Sequence, residues 1–150
     1  MVGALLRLAR PKDWVKNAFV VMPVPFALAA GATLEPVSFA LGLAAMCLAG
    51  SATYALNDTR DAALDRAHPR KRNRPVASGA VPARAALAFG AALASAALLL
   101  AFGSGRELAV ALIALYLALQ AAYSLGAKHI PLVDVFVLSS GHVIRVFLGC

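Results

Sequence analysis

The run VSFALGLAAMCLAGSATYAL, residues 37–56, carries no charged side chain, and NDTRDAALD, residues 57–65, follows it without a break. As a helix, about 20 apolar residues rise about 30 Å, the thickness of a bilayer's hydrocarbon core. Their reading decides the fold: a membrane-crossing helix ends in water on three acids within eight residues. Runs of similar character lie at 14–32, 83–102, 108–125 and 132–150. About five spans are therefore expected, making an all-α, polytopic transmembrane helix bundle that forms one domain over residues 1–150. Hydrophobic residues make up 61% of the chain and mean hydropathy is +0.78, beyond the usual range of a soluble domain. Lys and Arg outnumber Asp and Glu by 14 to 7. With long apolar runs and only 7% aromatic residues, that excess argues for membrane orientation and against nucleic acid.

The stretch 58–84 holds Arg60, Arg66, Arg70, Lys71, Arg72, Arg74 and Arg84, so the positive-inside rule places the loop 57–82 in the cytoplasm. Alternating sides from there puts Arg7, Arg10, Lys12, Lys16 and Lys128 inside as well, leaving only Arg106 and the intramembrane Arg145 apart. Insertion in the plasma (inner) membrane is expected to use these helices. The N-terminus is too charged, and its apolar part too short, for a cleavable signal peptide. The fifth run reaches Cys150 with no interfacial residue or basic anchor, from which a truncated chain is expected. Cys47 and Cys150 lie in apolar stretches without metal-ligand spacing and read as small hydrophobes. His68 and His129 likewise lack the spacing of a zinc site.

On a helix continuing past Leu56, Asp58, Asp61 and Asp65 fall at i, i+3 and i+7 on one face. Three carboxylates so placed repel, unless they hold a divalent cation. Mg²⁺ is bound in this way, by one or two carboxylates together with substrate phosphates, and a diphosphate is the natural bridge. The plainer reading is a solvated helix end paired with Arg60 and Arg66. Next come His68-Pro69-Arg70-Lys71-Arg72-Asn73-Arg74-Pro75, whose prolines prevent a regular helix. A fixed loop of Arg and Lys recognises phosphate, although an anchor to anionic lipid has the same composition. The two features together argue more strongly for chemistry than either alone.

The pattern NDxxDxxxD followed by HPxKxxRP resembles the first aspartate-rich motif of the UbiA superfamily of intramembrane prenyltransferases. Asn57, Asp58, Asp61 and Asp65 fill its first part, and His68, Pro69, Lys71, Arg74 and Pro75 its second, with Gly79 beyond. Three further segments are similar to one branch, the bacterial decaprenyl-phosphate phosphoribosyltransferases: RPKDWVKN (10–17), YSLGAKH (123–129) and SSGHVIR (139–145). Superfamily members have about nine helices and a second acidic motif in a later loop, which this sequence does not contain. The resemblance therefore implies a UbiA-like N-terminal half, whose complete active site needs more than this piece.

For the site, the resemblance implies Mg²⁺ held by Asn57, Asp58, Asp61 and Asp65, with Asp58, Asp61 and Lys128 in catalytic roles. It implies phosphoribosyl diphosphate as donor and decaprenyl phosphate as acceptor, in synthesis of a cell-wall arabinan precursor. Lys71, Arg72 and Arg74 would hold donor phosphates, Lys128 or Arg145 would orient the polyprenyl phosphate, and Lys16, Tyr123 and Asp134 would complete the substrate-binding set. Transfer of a polyprenyl group from its diphosphate to an aromatic acceptor, as in quinone or haem synthesis, fits the acidic motif equally. So does a noncatalytic membrane subunit or inactive fragment.

Asp134, His142 and Arg145 fall inside the fifth run, where ionisable groups are costly and face a cavity or a partner. Asp134 and Arg145 are eleven residues apart, three helical turns, so they share a face without touching. Lining of a polar site and structural glue between helices are both open readings for them. Trp14 reads as an interfacial anchor.

Overall fold

The computed structural model describes residues 1–126 and 131–150, apart from the side chains of Pro131 and Asp134. Every regular element among the described residues is helical. In chain order these are α1 (Val2–Ala9), a 3₁₀ segment Pro11–Asn17, α2 (Ala18–Val21), α3 (Val24–Ala29), α4 (Pro36–Arg60), α5 (Ala62–Ala67), a 3₁₀ turn Lys71–Asn73, α6 (Ala83–Gly103), α7 (Glu107–Leu125) and α8 (Pro131–Gly149). Among the described residues α4, α6 and α7 are long and apolar enough to cross a membrane, and α8 adds the apolar stretch Val135–Gly149. Large side chains such as Leu99, Phe102, Phe136 and Phe147 are exposed, as a lipid-facing surface requires.

The run 14–32, expected as one span, is instead a succession of short helices. Pro23 and Pro25 cause the break: each lacks a backbone donor and clashes with the carbonyl four residues earlier, so α2 stops and α3 starts afresh. The pieces still dock on the bundle. Val20 is 1% exposed, and Gly149 of α8 lies so close to the Val20 carbonyl that a Cβ there would collide with it.

Helix α4 is the hub, packing on α1, α6, α7 and α8. Its buried face is made of alanines, Ala45, Ala49, Ala52 and Ala55, whose small side chains let neighbouring backbones approach. One close approach is to Gly90 of α6, where an added Cβ would sit 3.1 Å from Ala55 Cβ and 3.3 Å from the Ala52 carbonyl. Gly90→Val is therefore expected to cost about 1–3 kcal/mol through overpacking, read as a lowered melting temperature in detergent.

Two apolar cores result. One lies along the bundle and includes Met46, Ile113, Tyr116, Ile144 and Leu148. The other sits under the loop after α5, where Leu8 of α1 meets Ala55, Val76, Val81 and Ala86. Burial of Val76 and Val81 pins a loop rich in Arg and Lys, and burial of Leu8 pins α1 beside it. Arg74 and Arg10 are thereby brought to the end of α4.

Candidate functional site

Helix α4 does continue past Leu56, but only to Arg60. Asp61 has φ −89° and ψ 0°, and the chain restarts as α5. The three carboxylates do not share one face: Asp61 lines a pocket that Asp58 and Asp65 do not. Asp58 is completely buried and accepts from Arg10 Nη2 through both oxygens, at 2.7 and 2.9 Å. Arg74 Nη1 lies 3.2 Å from Asp58 and 2.8 Å from Asp65, itself buried. Among the described residues, the ion pairs thus join Asp58 and Asp65 to Arg10 and Arg74, not to Arg60 and Arg66. Arg66 Nε donates instead to the Ala77 carbonyl at 3.2 Å. Arg10 reaches Asp58 from a left-handed backbone, φ 51° and ψ 57°, at the C-terminus of α1. That conformation costs an L-residue about 1–2 kcal/mol, which a charge-assisted contact can offset.

Above these ion pairs opens a pocket of about 380 Å³. Asn57 and Asp61 line it from the end of α4, Lys71 and Arg74 from the loop, and Lys16 from the N-terminal arm. Tyr123 of α7 and Arg145 of α8 close the far side. Seven residues expected at the site from sequence therefore share one cavity, though separated by up to 129 positions in the chain. Asp58 and Asp65 lie behind its wall, and Arg72 is exposed in the loop without lining it. Lys128 lies outside the described residues, as does the side chain of Asp134.

The charge balance follows. Arg10, Lys16, Lys71, Arg74 and Arg145 line the pocket, against Asp61 as the one carboxylate among the described lining residues. Arg10 and Arg74 are compensated from beneath by Asp58 and Asp65. Three cations then face one carboxylate in a cleft walled by apolar helices, where fields are weakly screened. Such a cavity attracts polyanions. No cluster of three His, Cys, Asp or Glu among the described residues is arranged to hold a metal. Asn57 and Asp61 offer oxygen donors on the wall. That set fits Mg²⁺ in its common mode, in which substrate oxygens and water complete the octahedron.

Sequence reasoning missed several residues that shape the pocket. The ring of Tyr54 carries Arg10 at 4.6 Å, and its hydroxyl accepts from Lys16 Nζ at 3.1 Å. Tyr116 and Gln120 of α7 line the cavity with Tyr123 and Ser124. Their spacing of i, i+4, i+7 and i+8 is a polar stripe on an otherwise apolar helix, a signal present in the sequence. Trp14, expected as an interfacial anchor, ties the N-terminal arm to α4: its Nε1 donates to Ser51 Oγ at 3.0 Å, and Ser51 donates to the Ala9 carbonyl at 2.7 Å. The loop is ordered by His68, whose Nδ1 accepts from the Arg70 and Lys71 amides at 3.2 and 3.3 Å.

This architecture has known counterparts. The chain superposes on a solved structure of digeranylgeranylglyceryl phosphate synthase with a TM-score of 0.85, covering 99% of this chain and 52% of that one at 17% identity. A decaprenyl-phosphate phosphoribosyltransferase of Mycolicibacterium smegmatis is 37% identical over 103 residues, 66% of this chain and 32% of that protein. A protoheme IX farnesyltransferase of Cereibacter sphaeroides is 35% identical over 97 residues, 65% of this chain and 31% of that protein. The matched segment thus spans about a third of the length of these curated relatives. Residues 17–150, from the end of the 3₁₀ segment to the last residue, match the UbiA prenyltransferase family, and the chain belongs to it.

Proposed function

We propose that this pocket serves Mg²⁺-dependent transfer from a diphosphate donor in the membrane: 5-phosphoribosyl passes from phosphoribosyl diphosphate to decaprenyl phosphate, toward a cell-wall arabinan precursor. The observation that carries the reading is the set of three cations without a carboxylate ion pair among the described residues, Lys16, Lys71 and Arg145, which share one cavity of a membrane bundle with Asp61. Resemblance of RPKDWVKN and SSGHVIR to the phosphoribosyltransferase branch favours phosphoribose over prenyl, as does the M. smegmatis relative. In this reading the membrane is the plasma membrane, with the N-terminus and the loop 57–82 in the cytoplasm beside a soluble donor.

Lys71 and Arg74 grip the donor's diphosphate from the loop, with Lys16 opposite. Asn57 and Asp61 would hold Mg²⁺ through oxygen. When bound, Mg²⁺ neutralises the diphosphate as a Lewis acid. An oxygen of the acceptor phosphate forms the new bond to the donor's anomeric carbon, while that carbon's bond to the diphosphate breaks with its electron pair. The attacking oxygen is already anionic, so Asp61 need not remove a proton. Negative charge grows on the leaving diphosphate, next to cations that are fixed beforehand and need not reorganise. Lys71→Ala is expected to raise the donor KM about tenfold or more, since a charge-assisted contact is worth about 1.5–3 kcal/mol. Steady-state kinetics in detergent would read that change.

The proposal is tested by supplying membranes containing the full-length gene product with Mg²⁺, decaprenyl phosphate and radiolabelled phosphoribosyl diphosphate. Labelled lipid supports phosphoribosyl transfer. Its absence, alongside transfer from a polyprenyl diphosphate to an aromatic acceptor, would replace it with prenyl transfer. Inactivity of folded protein in both assays would indicate a noncatalytic subunit.

A further inference from the structure

Arg145 is only 8% exposed, yet no carboxylate among the described residues pairs with it. Its hydrogen-bond acceptors are all neutral. Nε donates to Asn17 Oδ1 at 2.9 Å, Nη1 to the Gly141 carbonyl at 2.7 Å, and Nη2 to the Tyr116 hydroxyl at 3.2 Å. The guanidinium carbon also lies 5.2 Å from the centre of the Tyr116 ring. Asn17 is itself buried, and its Nδ2 donates to Cys47 Sγ at 3.1 Å, which turns the amide oxygen toward Arg145.

A guanidinium has five N–H donors. Three are spent in this cradle, leaving one on each terminal nitrogen, the pair that grips phosphate oxygens in a bidentate fork. Arg145 lines the pocket, and Tyr116 belongs to the core along the bundle. A cation buried among neutral acceptors is costly, and a helix clamp does not need the charge. Aspartate at position 17 would match the shape of asparagine and would compensate the cation. Asparagine orients it without compensating it.

We propose that Arg145, with Tyr116, seats the phosphate monoester head of a lipid acceptor, and that Asn17 is the positioning residue that keeps this cation oriented and uncompensated. The inference rests on the transfer reading above and adds to it a second anion seat, distinct from the loop cations Lys71 and Arg74. Acceptor choice follows: a neutral aromatic acceptor leaves Arg145 unpaired, whereas a phosphorylated polyprenol satisfies it.

The test is equilibrium binding to the full-length protein in nanodiscs, with decaprenyl phosphate, decaprenol and ribose 5-phosphate as separate probes. Wild type is expected to prefer decaprenyl phosphate to decaprenol by about tenfold or more. Asn17→Asp is expected to reduce that preference to less than about threefold, with a melting temperature no lower than wild type, because an internal ion pair takes the ligand's place. Should this variant fail to fold, Tyr116→Phe removes one partner of Arg145 and is expected to raise the lipid KM several-fold with donor KM unchanged. Retention of the full preference in folded Asn17→Asp, or an unchanged lipid KM in Tyr116→Phe, would make Arg145 a structural clamp and overturn the proposal. Competition by ribose 5-phosphate that disappears in Asn17→Asp would give the seat to the donor and overturn the lipid assignment. Intact lipid discrimination in a wild type that transfers no phosphoribose leaves the seat standing and sinks only the reaction assigned above.

Discussion

Asp58→Ala is expected to destabilise the folded protein by about 3–5 kcal/mol, the cost of removing one member of a buried ion-pair network. The reason is local and severe. Asp58 is fully buried between Arg10 and Arg74, whose side chains are themselves only 20% and 23% exposed. Alanine leaves Arg10 with no carboxylate partner among the described residues, in a left-handed backbone that its contact with Asp58 helps to hold. The effect should reach the whole loop end, because Leu8 of α1 and Val76 beside Arg74 share one apolar core. Equilibrium unfolding in mixed detergent micelles measures it. A double-mutant cycle with Arg10→Met is expected to recover part of the loss, since removing both charges spares the orphaned partner.

Asp61→Asn is expected to behave in the opposite way, keeping the fold and losing turnover by about 10²–10³-fold. Asn and Asp have the same shape, and Asp61 lies at a helix break on the pocket wall, not in the buried arginine network. Its charge is the only negative one among the described lining residues, so neutralising it removes the carboxylate proposed for Mg²⁺ and diphosphate. Donor binding should weaken less than turnover falls, because Lys16, Lys71 and Arg74 remain in place. The acidic motif is thus divided by one turn of backbone: Asp58 and Asp65 hold the loop to the bundle, and Asn57 and Asp61 line the pocket.

What was legible in the sequence follows the range of each interaction. Helices α4, α6 and α7 were legible because crossing a bilayer requires a continuous apolar length, which a linear reading sees directly. The arm 14–32 passed the same test of hydrophobicity but not of backbone chemistry, since Pro23 and Pro25 outweigh the apolar run around them. Membership of one site was legible for Asn57, Asp61, Lys71 and Arg74, which are close in the chain. The carboxylates' partners were not. Nearby Arg60 and Arg66 were the economical choice from sequence, whereas Asp58 pairs with Arg10, 48 positions away. Burial of Leu8 sets that contact, and no spacing rule encodes it. The neutral cradle of Arg145 likewise joins α7, α8 and the N-terminal arm, with Asn17 and Arg145 128 positions apart. Its traces in the sequence were Arg145 itself, an ionisable group inside an apolar run, and the polar stripe from Tyr116 to Ser124.

The most direct test of the divided motif is the rate of phosphoribosyl transfer to decaprenyl phosphate by the Asp61→Asn protein, at saturating Mg²⁺ and with its melting temperature matched to wild type. A fall of about 10²-fold or more in turnover is the predicted result. Wild-type turnover from the same folded protein would contradict it and remove the pocket beside Asp61 as the site of chemistry.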